Sequence, residues 1–112
     1  MSSNKINFFK EVLNKKLSFI IQTKGGIYKP PSDAILNNLE LGCYELDWRN
    51  TYCYDTNMFY HEIKYFKKLK SNTYKINSGK ITIDGRFLNS SQFIEFSLED
   101  LRDYKINNLL SD

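Results

Sequence analysis

Eight of the seventeen aromatic residues of this chain fall between Cys43 and Phe66, with both cysteines (Cys43 and Cys53), the only tryptophan (Trp48) and the only histidine (His61). The whole chain holds one Val and one Ala, so Phe, Tyr, Ile and Leu are what an interior can be made from. This stretch must therefore supply a large part of the core, a working face, or both. At 112 residues the chain has the length of one domain, spanning 1–112, with a modest margin for a core without staples. An apolar content of 41% excludes a disordered chain. The abundance of Lys, Asn, Ile, Tyr and Phe has the look of an AT-rich gene, a warning against reading every Lys or Asn as functional.

Ile6, Phe9 and Leu13 stand at helical spacing, widened by Phe8 and Val12, and predict an amphipathic helix from Asn4 to about Asn14 capped by Ser2 or Ser3. Leu17 to Thr23 reads as a strand. Gly25-Gly26 would turn it into a short returning strand, Ile27-Tyr28-Lys29, which Pro30-Pro31 stop. Ser32-Asp33 should cap a helix from Ala34 to about Glu40, closed by Gly42. Cys43 to Trp48 reads as a strand with Cys43, Glu45 and Asp47 on one face and Tyr44, Leu46 and Trp48 on the other. Arg49-Asn50 would turn it into Thr51 to Tyr54.

Asp55 to Ser71 admits two readings. As a helix it is capped by Asp55 or Thr56 and carries the stripe Phe59, Ile63, Phe66 and Leu69, with Lys67, Lys68 and Lys70 in the last turn. As a strand, Phe59, His61, Ile63 and Tyr65 alternate with Tyr60, Glu62 and Lys64. Capping and length favour the helix. Beyond it, Asn72 to Asn77 and Lys80 to Leu88 look like strands joined at Asn77-Ser78-Gly79, with a bulge or turn at Asp84-Gly85. Gln92 to Phe96 is a further strand. Ser97 caps a final helix whose stripe is Leu98, Leu101, Tyr104, Ile106, Leu109 and Leu110. The expected fold is α+β: an antiparallel sheet of about four to six strands packed by three or four helices.

No targeting segment stands out, and no apolar run nears the roughly 20 residues of a membrane span. The chain reads as cytoplasmic, with no membrane association and both cysteines reduced; a disulfide would require Cys43 and Cys53 to face each other across a hairpin. Two Cys and one His are too few for a structural zinc site, and neither a metal nor a cofactor is expected. Cys53 with His61 as nucleophile and base lacks any surrounding motif. Asp47 or Asp55 with Glu62-Ile63-Lys64 has the bare D…E-x-K outline of metal-dependent nucleases, which needs Glu62 and Lys64 on one face of a strand.

Net charge is +3, laid out in four blocks of alternating sign. Residues 1–32 hold six bases and one acid, and 33–62 six acids and one base. Residues 63–83 hold six bases and no acid, and 84–112 six acids and three bases. Such blocks either make a dipolar surface or interleave in space and neutralise one another. The second block sets Glu45, Asp47, Asp55 and Glu62 among Trp48, Tyr52, Tyr54 and Tyr60, a mixture suited to binding a basic protein partner. The expected function is stoichiometric, non-catalytic inhibition of a cognate protein: an immunity protein occluding the basic cleft of a toxin nuclease, or a phage-encoded inhibitor of a defence nuclease. The alternative is a nucleic-acid-binding accessory protein using Lys64, Lys67, Lys68, Lys70 and Lys75 with the neighbouring aromatics.

Overall fold

The structure is a computed structural model that describes residues 3–78 and 80–110, with the backbone alone for 3, 109 and 110. It is α+β. Helix α1 (Ser3–Lys24) is followed by strand β1 (Ile27–Lys29), helix α2 (Asp33–Asn37) and the long strands β2 (Gly42–Cys53) and β3 (Met58–Lys68). Short strands β4 (Tyr74–Asn77), β5 (Lys80–Ile83) and β6 (Arg86–Leu88), a 3-10 turn (Ser90–Gln92), strand β7 (Phe93–Phe96) and helix α3 (Leu98–Leu110) complete the chain. Among the described residues no helix is long and apolar enough to cross a membrane.

The run Leu17 to Thr23 is helix, not strand. The spacing of Ile6, Phe9 and Leu13 carries on through Leu17 and Ile20, and no breaker intervenes before Gly25. One continuous face buries Phe8, Phe9, Val12, Leu13 and Leu17 against the sheet, while Phe19 points to solvent. Ser3 lies inside the helix, and Ser2 lies outside the described residues. Gly25 and Gly26, both at φ +69°, end the helix instead of making a hairpin. They redirect the chain into β1, which pairs in parallel with β3 (Ile27 opposite Tyr60, Lys29 opposite Glu62). Ser32 caps α2 as expected, its Oγ accepting from the Ile35 N–H at 3.4 Å. That helix stops at Asn37 with Asn38 as its cap, and Gly42 opens β2.

The expected turn at Arg49-Asn50 is absent. Gly42 to Cys53 is one strand, and the chain reverses only at 54–57, where Asn57 takes φ +55°. Asp55 to Ser71 is not a helix; Met58 to Lys68 is the antiparallel partner of β2, from Cys53 opposite Met58 to Tyr44 opposite Lys68. The register slips between Asp47 and Trp48, leaving Lys64 as the extra residue of a bulge. Strand order in this four-stranded sheet is β1-β3-β2-β7, and β4-β5-β6 form a separate antiparallel sheet. In β5–β6 the turn Asp84-Gly85 has φ +50° and +78°, as a two-residue hairpin turn requires. The β4–β5 connection was expected at Asn77-Ser78-Gly79, of which Gly79 lies outside the described residues.

Alternation along β2 sends Tyr44, Leu46 and Trp48 to one side and Cys43 to the other, matching the faces read from the sequence. The first side carries the main core: α1, Leu36 and Leu39 around α2, Ile63 and Phe66 from β3, Ile94 and Phe96 from β7, and Leu101 and Tyr104 from α3. Edge-to-face contacts Phe9–Phe96 (4.8 Å) and Phe8–Tyr104 (5.5 Å) tie the helices to this layer and to each other. The second side carries a smaller core of Cys43, Leu69, Ile83 and Leu88, on which the three-stranded sheet sits. In α3 the expected stripe is only half used. Leu101 and Tyr104 pack inward, Leu98 and Ile106 are exposed, and the side chains of Leu109 and Leu110 lie outside the described residues.

Candidate functional site

The radius of gyration is 15.3 Å, where about 13 Å is usual for this length, and the molecule measures 43 × 42 × 24 Å. Part of the excess lies in the distal half of the β2–β3 hairpin. Its residues beyond Trp48 and before Ile63 are all exposed or only half-buried. Helix α1 ends at Lys24, so the sheet face that it covers elsewhere lies open from there on.

That face carries a row of aromatic side chains. Trp48 is its root: its Nε1–H donates to the Ser91 carbonyl at 2.6 Å, its ring lies 6.2 Å from that of Tyr28, and Lys24 Nζ stands 5.0 Å above it. Asn50 and His61 come next, directly opposite in the register, with Asn50 Oδ1 and His61 Nδ1 at 2.6 Å. Since an amide oxygen only accepts, His61 Nδ1 is the donor in this contact. His61 stacks on Phe59 (6.4 Å, 14° between planes), Phe59 packs edge-on against Tyr52 (5.0 Å), and Tyr52 against Tyr54 (4.9 Å). The Tyr52 hydroxyl donates to Asn57 Oδ1 and so pins the turn to the row. Tyr54, at the tip, is 88% exposed and Phe59 is 52% exposed. Gly26 closes the root: a Cβ there would lie 2.5 Å from the Phe59 carbonyl oxygen and 3.2 Å from His61 Nε2.

The opposite face of the hairpin is mixed in charge. Glu45 stands opposite Lys67 and lies 3.8 Å from Arg86; Glu62 stands between Arg49 on β2 and Lys29 on β1. Tyr60 lies under Lys29 Nζ at 5.6 Å, with its hydroxyl 3.5 Å from Thr56 Oγ1. Asp47 has Tyr65 opposite, and Asp55 sits in the tip turn, so these two acids have no base directly across from them in the register. Of the eight expected partner-binding residues, Trp48, Tyr52 and Tyr54 therefore join the aromatic row. Glu45, Asp47, Tyr60 and Glu62 occupy the other face, and Asp55 lies between the two at the turn. Charge blocks that are separate in sequence meet here at one point, because antiparallel pairing lays Glu45 of β2 against Lys67 of β3.

The five lysines of the alternative surface are dispersed. Lys68 is on the helix-covered side, ion-paired with Glu40; Lys67 is on the other side, Lys64 in the bulge and Lys70 just past β3. Lys75 lies in the small sheet, opposite Thr82. Cys53 and His61 point to opposite faces and do not form a nucleophile–base pair. Cys43 and Cys53 are free thiols on one strand, ten residues or about 33 Å apart, too far for a disulfide. Glu62 and Lys64 do lie on a strand, as the D…E-x-K outline demands, but Arg49 occupies the position across from Glu62. Among the described residues no three His, Cys, Asp or Glu side chains gather as a metal site.

Phe59, His61, Asn50, Tyr28 and Lys24 belong to the row but are not among the expected partner-binding residues. The signal for three of them is present: the alternation Trp48, Asn50, Tyr52 continues through the supposed turn, and the strand reading of Asp55 to Ser71 sets Phe59 and His61 on one face. Comparison with known families, characterised proteins and solved structures finds no match for the chain.

Proposed function

We propose that this protein is a non-catalytic binding protein that inhibits a cognate protein partner, and that the distal β2–β3 hairpin is its working surface. The observation that carries this reading is the row Tyr52–Tyr54–Phe59 on a hairpin that reaches past its helix cover. Tyrosine and phenylalanine in such a setting offer large, rigid contact area at low entropic cost, the usual make-up of interface anchors. Packing each ring on its neighbour holds the row in shape before a partner arrives. Asp47 and Asp55 supply the negative charge that steers a basic partner, and the most concrete partner is a toxin nuclease whose cleft is cationic because it must hold phosphate. In that case the protein is an immunity protein, and inhibition is occlusion.

The test is co-purification and calorimetry with the product of the gene next to this one. A 1:1 complex is expected, weakened about tenfold or more by Tyr54→Ala and by Phe59→Ala. Asp47→Lys should slow association, and Lys67→Glu with Lys68→Glu should change little. Tight binding untouched by both aromatic changes would mean that the surface is elsewhere.

A second reading rests on the outer face of the small sheet. There Lys75, Thr82 and Phe87 form one cross-strand row, and Lys80 Nζ lies 5.9 Å above the exposed Phe87 ring. Lysines flanking an open aromatic suit single-stranded nucleic acid. Retention of an oligonucleotide that falls steeply with salt and is lost in Phe87→Ala would favour this reading over the first.

A further inference from the structure

Helices α1 and α3 run antiparallel and touch at Lys16–Asp100 and Phe8–Tyr104. Further toward the start of α1 they part. The facing side chains there are Asn4 and Lys5 on α1 and Lys105 and Asn108 on α3, and two lysines cannot close a helix interface without partners. The result is an open cleft of about 770 Å³. Phe8, Phe9 and Leu39 form its buried floor, and the half-buried Leu41, Leu101 and Tyr104 form its walls. Its size is that of small-molecule sites, and its lining is apolar with a few polar groups at one end.

The polar end is cationic. Three ionisable side chains stand at the rim, Lys5, Lys105 and Glu40, and Glu40 is already ion-paired with Lys68. Lys5 spends one donor on the Asn37 carbonyl at 2.6 Å and keeps two. Among the described residues Lys105 has no acidic partner within ion-pair distance. The first turn of α1, which borders the cleft, carries no acid to offset the positive end of the helix dipole. We propose that the cleft binds a medium-chain carboxylate, with its alkyl chain between the Leu41, Leu101 and Tyr104 walls, above the Phe8, Phe9 and Leu39 floor, and its carboxylate between Lys5 and Lys105.

The test is calorimetry of the full chain with octanoate, decanoate and dodecanoate, each as monomer. Burying a methylene is worth about 0.8 kcal/mol, so affinity should rise about fourfold per added carbon until the cleft is full. Lys105→Glu should weaken decanoate about tenfold and leave decanol unchanged, since only the carboxylate meets that side chain. Leu101→Trp should abolish binding by filling the cleft while circular dichroism stays native; if that variant does not fold, Leu41→Trp from the facing wall serves the same purpose. Absence of decanoate binding, or binding indifferent to the tryptophan, overturns the proposal. So does sedimentation with anionic phosphatidylglycerol vesicles without binding of monomeric decanoate, which would mark a membrane-facing patch instead. None of these readouts passes through the hairpin, so their outcome is independent of the partner proposed above.

Discussion

Gly25 and Gly26 share φ +69° but differ in their surroundings: nothing lies within 4 Å of a Cβ on the first, and the Phe59 carbonyl oxygen blocks the second. Gly25→Ala should therefore cost only the left-handed penalty, about 1 kcal/mol. Gly26→Ala adds a clash with backbone that is paired to β1, and should cost about 3 kcal/mol or more. Urea unfolding midpoints at constant slope measure both; equal costs would mean that β1 shifts freely against β3. The two cysteines contrast in the same way. Burial pushes the Cys43 thiol up, and it donates to the Tyr74 hydroxyl at 3.0 Å. Hydrogen bonds from the Thr56 side chain and backbone hold the half-buried Cys53 thiol below its ordinary value. A thiol reagent at neutral pH should modify one cysteine per chain quickly and the second only on unfolding, and Cys53→Ser should remove the fast phase. The sequence showed two cysteines in an aromatic stretch but not this difference, which depends on strand parity.

At the scale of elements, α1 offers a direct test of helix against strand. In a strand Leu17 and Phe19 would share a face, whereas in a helix they stand about 200° apart. Leu17 is 1% exposed and Phe19 74%. Leu17→Ala should cost about 3 kcal/mol by opening a cavity, and Phe19→Ala less than about 0.5 kcal/mol. For α3 the critical atom is Asp100 Oδ2, which accepts from Ser97 N–H (2.8 Å), Ser97 Oγ–H (2.9 Å) and Lys16 Nζ (2.7 Å). Burial alone would push this carboxyl up, but the bonds from Lys16 and Ser97 outweigh it and hold it low. A carboxyl lowered on folding stabilises above its unfolded value near 3.8 and loses that effect as pH falls through the folded value. Asp100→Ala should thus cost about 1–2 kcal/mol at pH 7, shrinking in acid below that range. Elements with local signals were legible, including the Ser32 and Ser97 caps and the Asp84-Gly85 turn. The misread elements have different physical causes. Phe19-Ile20-Ile21 has strand propensity, which the long amphipathic face overrides. In β3 the inward residues Phe59, His61, Ile63 and Phe66 are spaced two, two and three apart. The bulge at Lys64 supplies that three, and a three in such a run imitates a helix.

At the scale of the molecule, β2 is the common wall of two cores of unequal size, with Tyr44 and Leu46 facing the larger and Cys43 the smaller. Neither the parallel pairing of β1 nor the division into two sheets was legible, because both depend on contacts between segments far apart in the chain. The consequence is a difference in local stability. The three-stranded sheet is held through Cys43, Leu69, Ile83 and Leu88, with Tyr74, Ile81 and Phe93 partly buried around them. Among the described residues, the core between the helices and the four-stranded sheet has thirteen buried residues. A unit with so few buried side chains should open before the rest unfolds. Ile83→Ala should therefore speed hydrogen exchange in β4, β5 and β6 while β2 and β3 near Leu46 and Ile63 keep their protection. Leu13→Ala, at the centre of the larger core, should lower protection in both sheets together, since β2 cannot be lost from one core and kept in the other. If Ile83→Ala lowers every amide equally, the two sheets form one cooperative unit, and the small sheet cannot move independently of the hairpin.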